Sequence, residues 1–229
     1  MPVPLSLIAP DAPDAPEPRP LLLRLLNQRC ADPARAAAAR GPRASGPPIV
    51  AASSLDVASG EIGPVVVQLD REPGTVAGSG YEAVRFQIDC GVGELDDALT
   101  LSPSGPLVVY AEGVVPAEAA ARMVAVGVSP GLAADVEVEQ AADFLAVLAH
   151  SSVGFTARAD DAAGVVRLLA ATVAALRGDD VRQALREPDV AALVRLNDPA
   201  AAALREVLLG IEVPDAAGVA AALAELGLE

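Results

Sequence analysis

Short runs of β-branched residues alternate with longer segments rich in alanine and leucine along most of this chain, and that alternation restricts the fold more than any other feature. "PIVAASS", "PVVVQLD", "AVRFQID", "PLVVYAE", "GLAADVEVE" and "VGFTARA" predict strands at 48–53, 64–69, 83–88, 106–111, 132–138 and 153–158, with 211–213 as a seventh. Between them lie helical segments. "PAEAAARMVAVG" has Pro116 in the first turn and Gly127 as a stop. "EQAADFLAVLAHS" predicts another helix, and "DDAAGVVRLLAATVAALRG" a long buried one ended by Gly178. The C-terminal part repeats one device, a proline near each helix start, in "EPDVAALVRL", "DPAAAALREVLLG" and "VPDAAGVAAALAELG".

Strands that alternate with helices predict a parallel sheet joined by right-handed crossovers. Several early connections are too short for full helices. The expected fold is therefore α/β, a (β/α) TIM-barrel-like domain that is incomplete or has thinned early helices. An open doubly wound parallel sheet is the competing arrangement. The chain has no Gly-x-Gly-x-x-Gly after a strand, which argues against a dinucleotide-binding version of that sheet. Residues 1–20 end in the proline-rich acidic run "PDAPDAPEPRP" and predict an extended arm ahead of a single domain at 21–229. "LLLRLLNQRCADPARAAAAR" predicts one helix broken near Pro33 or two short ones, with the regular fold beginning at Ile49.

Composition removes several functions. A net charge of −15 repels phosphate backbones and anionic lipid, so neither nucleic acid nor a membrane is an expected partner. No apolar run approaches the roughly 18 residues of a membrane span, and the expected location is the cytoplasm. All 16 basic residues are arginine, which excludes Schiff-base chemistry and a P-loop lysine. His150 is the single histidine, and the end of a helix is a structural place for it. Cys30 and Cys90 have no metal-ligand spacing and read as reduced thiols, Cys90 as a small buried residue. Ser53, Ser54, Ser151 and Ser152 lack a nucleophile elbow, and the glycine pairs at 78–80 and 91–93 read as turns.

The stretch "DVEVEQAADFLAVLAHSSVGFTARADDAAG", the helix after it and the closing "EVLLGIEVPDAAGVAAALAELGLE" resemble an uncharacterised bacterial family of TIM-barrel-like proteins. Members carry a strand close to V-P-F-K-A-T-A-G-L-H-H and a tail close to S-F-D-E-P-V-D-D-L-R-A-L-G. Val153, Phe155, Ala157 and Ala159 match the strand, and Pro214, Ala222, Leu226 and Gly227 fit the tail. Weaker echoes occur in "IVAASSLDVA" and "LVVYAEG". Where the family pattern has lysine this chain has Thr156, and Asp160, Asp161 or small residues stand where it has paired histidines. The resemblance thus implies the fold and argues against inherited catalysis.

In such barrels working groups sit at the carboxyl ends of strands. Those ends supply Asp70, Asp89, Glu112, Glu137 or Glu139, and Arg158. Asp70, Asp89 and Glu112 could hold a divalent metal such as Mg²⁺. Alternatively Asp89 or Glu112 could act as general acid or base while Arg158 holds an anion. Capping and ion pairing compete with both roles, and they account well for Asp160 and Asp161 ahead of the long helix. The functional expectation is a catalytically degenerate barrel, a binding, accessory or structural subunit whose partner is another protein, a second copy of the chain or an anionic small molecule. The alternative is a small-molecule lyase or isomerase that uses the strand-end carboxylates, with or without a divalent metal.

Overall fold

The computed structural model describes residues 20–38, 41–55, 61–72 and 80–228. The acidic arm predicted at 1–20 lies outside them apart from Pro20, as do residues 78 and 79 of the first glycine pair. Eight strands form a closed, all-parallel barrel in chain order: β1 (Leu26–Cys30), β2 (Ile49–Ala51), β3 (Gly63–Gln68), β4 (Tyr81–Cys90), β5 (Leu107–Ala111), β6 (Ser129–Leu132), β7 (Phe155–Arg158) and β8 (Leu208–Val213). Pairing of Leu26 with Ile211 and of Gln28 with Val213 joins β1 to β8. That closure sets the open sheet aside. The fold is a (β/α)8 TIM-barrel-like domain.

The early helices are thin, as the short connections require. They are α1 (Pro33–Ala38), the single turn α2 (Ala52–Leu55) and α3 (Leu95–Thr100). Longer helices follow: α4 (Pro116–Ala125), α5 (Val138–Leu148), α6 (Ala162–Arg177), then the short α7 (Val181–Arg186) and α8 (Val190–Val194), and finally α9 (Asp198–Val207) and α10 (Ala216–Glu225). Pro116 opens α4, and Gly178 ends α6 at φ 75°. That left-handed turn is open to glycine without a Cβ clash.

Three expectations need correction. The segment expected to be helical before residue 33 contains β1, so the regular fold begins at Leu26 and not at Ile49. Leucine and arginine favour helix weakly, and ladder bonds on both sides of β1 override that preference. The strand expected at 132–138 is displaced to Ser129–Leu132. The alternating "DVEVE" is instead a loop and the first turn of α5, where Glu137 is the cap and Glu139 faces the positive helix end. Last, the strand expected at 211–213 begins at Leu208, which removes "LLG" from the preceding helix.

The apolar core lies mainly between barrel and helices. One cluster joins β6, β7 and β8 to α5, α6, α9 and α10 through residues such as Phe144, Phe155, Leu169, Leu204 and Leu223. A second joins β2–β5 to α2 and α3, with Val65, Val67, Phe86, Leu95 and Val109 at its centre. Helix α4 touches both, with Ala120 in the first and Met123 in the second.

Acidic residues shape the helix starts. The Asp161 carboxylate accepts a hydrogen bond from the Gly164 amide at 2.8 Å, and Asp180, Asp189 and Asp215 cap α7, α8 and α10 in the same way. Part of the negative charge is therefore structural. Asp161→Ala is expected to lower stability by about 1 kcal/mol in urea titration, the usual cost of an N-cap.

Candidate functional site at the barrel mouth

In a barrel wrapped by helices the outer strand face must be apolar, so polar residues that alternate with apolar ones are left to the interior. β4 follows this rule. Phe86 and Cys90 pack in the outer core and Ile88 lies against it, whereas Arg85, Gln87 and Asp89 reach other strands across the axis. The interior is consequently polar over much of its height.

Its lower part is built around Arg85. The guanidinium donates to Asn27 Oδ1 at 2.8 Å and to the Leu209 carbonyl at 3.2 Å, and Asn27 donates onward to the Pro47 carbonyl at 2.9 Å. Burial pushes the Arg85 pKa down, and Tyr110 and Glu212 oppose that shift. Gly210 on β8 leaves room for this group, because a Cβ there would overlap Asn27 Oδ1.

At the carboxyl ends of the strands Arg158, Asp89, Glu212 and Arg29 form one network. Arg158 Nη2 donates to Asp89 at 2.5 Å and its Nε donates to Glu212 at 3.2 Å. Arg29 Nε donates to the other Glu212 oxygen at 2.9 Å, and Arg29 Nη2 lies 3.8 Å from Asp89. Gln87 donates to Gln68 at 2.9 Å and to Glu212 at 3.3 Å, and Gln68 donates to Asp89 at 3.4 Å. Burial works against the charge on Arg158, but Glu212 and Asp89 outweigh it and raise its pKa. With Arg85, three guanidinium groups face two carboxylates inside a chain that is strongly negative as a whole.

Tyr110 fixes the plane of Arg158. The Arg158 guanidinium carbon sits 3.9 Å from the centre of the Tyr110 ring, a cation–π stack. The Tyr110 hydroxyl and Thr156 Oγ1 share a hydrogen bond of 2.8 Å in a fully buried setting. Gly131 on β6 admits the ring, since any Cβ there would overlap it. Burial pushes the Tyr110 phenol from its usual value up to about 12, against smaller opposing effects of Thr156 and Arg158. The folded protein therefore holds this proton more tightly than the unfolded chain. Stability that is complete below pH ~10 is expected to fall by about 2 to 3 kcal/mol as the pH rises toward ~12. The chain has two tyrosines and no tryptophan, so tyrosinate absorbance follows the event directly. The late part of that titration should vanish in Tyr110→Phe.

The structure separates the remaining candidates. Asp70 accepts hydrogen bonds from the Ser53 hydroxyl and, at 3.0 Å, from the Ser53 amide, which lower its pKa and tie the end of β3 to α2. Asp89 lies in the arginine network, and Glu112 stands beyond the end of β5, where no described residue pairs with its carboxylate. Asp70, Asp89 and Glu112 are not gathered: among the described residues no group of three or more His, Cys, Asp and Glu side chains could hold a metal ion. Glu137 caps α5 without a side-chain bond, and Glu139 pairs with Arg186 at 2.5 Å. His150 follows α5 at the opposite end of the barrel from Arg158. Burial raises the thiol pKa of both Cys30 and Cys90, with Glu94, Asp89 and Glu112 adding to it at Cys90. Neither is an activated nucleophile. In the turn at 91–93 the Gly91 amide is already bonded to Glu94 at 2.8 Å.

Two clefts open beside Arg158. The larger, about 720 Å³, lies between the ends of β5 and β6 and is lined by Tyr110, Glu112, Asp135, Gln140 and Arg158. The smaller, about 330 Å³, is lined by Asp160, Asp161, Arg167 and again Arg158. Residues 133–136 form a wall of both. Arg158 Nη1 has no hydrogen-bond partner among the described residues.

No family model, curated protein or solved structure matches the chain. Among the described residues, no helix is long and apolar enough to cross a membrane.

Arg29, Gln68, Gln87, Tyr110 and Glu212 were not among the candidates that the sequence suggests. The signal for Gln87 was present in "RFQID", where three polar residues alternate with apolar ones in a strand that helices must cover. Arg29 was hidden because its segment has helical composition. Glu212 was hidden because only three residues of its strand were legible.

Proposed function

We propose that this protein is a non-catalytic binding or accessory barrel that takes a small anionic molecule at the carboxyl-terminal mouth. The observation that carries this reading is the Arg158 constellation. Both carboxylates at the axis are committed to arginines, while Arg158 lines an open cleft and its Nη1 has no hydrogen-bond partner among the described residues. Carboxylate oxygens occupied by arginine donors are not free to reach a substrate proton at hydrogen-bond distance. Thr156, which stands where the family pattern has lysine, spends its hydroxyl on Tyr110. An accessory role implies a protein partner or self-association, which light scattering of the purified chain and of the chain in its native complex would report.

A lyase or isomerase is the second reading, and one observation favours it: Glu112 lines the same cleft as Arg158 and is unpaired among the described residues. Thermal melts separate the two, since a ligand specific for the folded state raises the melting temperature. Acetate and inorganic phosphate at millimolar concentration are expected to raise it, and Mg²⁺ and Mn²⁺ are not. A shift with the metals and none with the anions would favour the enzyme.

A further inference from the structure

We infer that the molecule taken by the larger cleft is a zwitterion of the α-amino-acid type, bound through its carboxylate to Arg158 and through its ammonium group to Glu112 and Asp135. This rests on the binding function proposed above and adds the ligand class.

The charges of the cleft carry the inference. Its floor holds one cation, Arg158, whose plane is set by Tyr110 and whose Nε and Nη2 are tied to Glu212 and Asp89. Nη1 is the donor left for a ligand, and two or more hydrogen bonds already hold the guanidinium still, so little side-chain entropy remains to be lost on binding. The rim differs. Glu112, beyond the end of β5, and Asp135, beyond the end of β6, are both exposed, line the same cleft and have no ion-pair partner among the described residues.

A dianion such as phosphate would gain at the floor but give back part of that gain at the rim. A simple amine would gain at the rim and be repelled by Arg158. A molecule with one negative and one positive group separated by a short carbon link satisfies both. Gln140, on the first turn of α5, adds a neutral donor and acceptor to the wall. Val115 and Val136 give the cleft an apolar flank for a side chain. The volume, about 720 Å³, falls within the usual range for small-molecule sites and exceeds what glycine would fill.

The experiment is calorimetric titration of the full chain with three compounds on one carbon skeleton: L-leucine, its decarboxylated amine 3-methylbutylamine, and its deaminated acid 4-methylpentanoate. The same trio is repeated for the L-phenylalanine and L-methionine skeletons. On at least one skeleton the amino acid should bind ten-fold or more tightly than either single-charge analogue. Arg158→Gln should abolish binding, but it also removes two ion pairs. Glu112→Gln, an exposed change, therefore serves as the second variant: it should weaken the amino acid at least five-fold and leave the acid unchanged or tighter. If the acids bind as tightly as the amino acids on every skeleton, or if Glu112→Gln leaves amino-acid binding unaltered, the zwitterion inference fails while anion binding stands. If neither amino acids nor acids bind, both fall.

Discussion

Replacing Arg158 with methionine is expected to lower stability by about 2 to 4 kcal/mol in urea titration. The side chain holds Asp89 and Glu212 at once and stacks on Tyr110. Its loss leaves Asp89 with Gln68 at 3.4 Å and Arg29 at 3.8 Å. Glu212 keeps Arg29 at 2.8 Å. Removing one partner of a fully buried pair costs about 3 to 5 kcal/mol. The expectation here is lower because Arg158 is 20% exposed and Glu212 stays paired. The loss should shrink when Asp89→Asn accompanies it, since an amide needs no counter-charge. A cost below about 0.5 kcal/mol would mean that the guanidinium is solvated and the network slack.

Phe155→Ala is expected to cost more, about 3 to 5 kcal/mol, with no effect on the mouth chemistry beyond stability. Phe155 opens β7, is fully buried, and meets Phe144 of α5 edge to face with ring centres 5.5 Å apart. The outer core around it is mostly alanine, valine and leucine. Such short side chains cannot extend to fill the space that a ring leaves. A domain with the usual 5 to 15 kcal/mol of stability would lose a large share of it. The check is the urea midpoint at unchanged slope. A cost near 1 kcal/mol would show that β7 and α5 do not pack as described.

The same physics decides which elements are legible in the sequence. β3, β5 and α6 were legible because they are buried along most of their length: "PVVVQL" and "PLVVYA" are runs that suit a strand covered on one side by helix, and the Asp161 cap and Gly178 stop frame α6. β1 and β6 were not legible. "LNQRC" has no β-branched residue, and "SPGL" carries two residues that normally break strands. Both are strands because their neighbours in a closed ring offer backbone groups that need partners. Gly131 is required by the Tyr110 ring, a constraint that exists only once β5 and β6 lie side by side.

The mouth shows a similar division. Asp89, Glu112 and Arg158 could be placed at strand ends because β4, β5 and β7 were recognised. Asp70 also ends a strand, yet Ser53 draws it sideways onto α2, a local hydrogen bond that strand position does not disclose. The pairing of Arg158 with Glu212 required β8 to begin at Leu208 and to lie beside β7, so that Glu212 falls opposite Arg158 in register.

A double-mutant cycle between Arg158→Met and Glu212→Gln, read as unfolding free energy, tests the interior charge network most directly. The two effects are expected to fall short of additivity by at least 1 kcal/mol, because each removes the same contact. Additivity within about 0.5 kcal/mol would contradict a mouth built on arginine-held carboxylates.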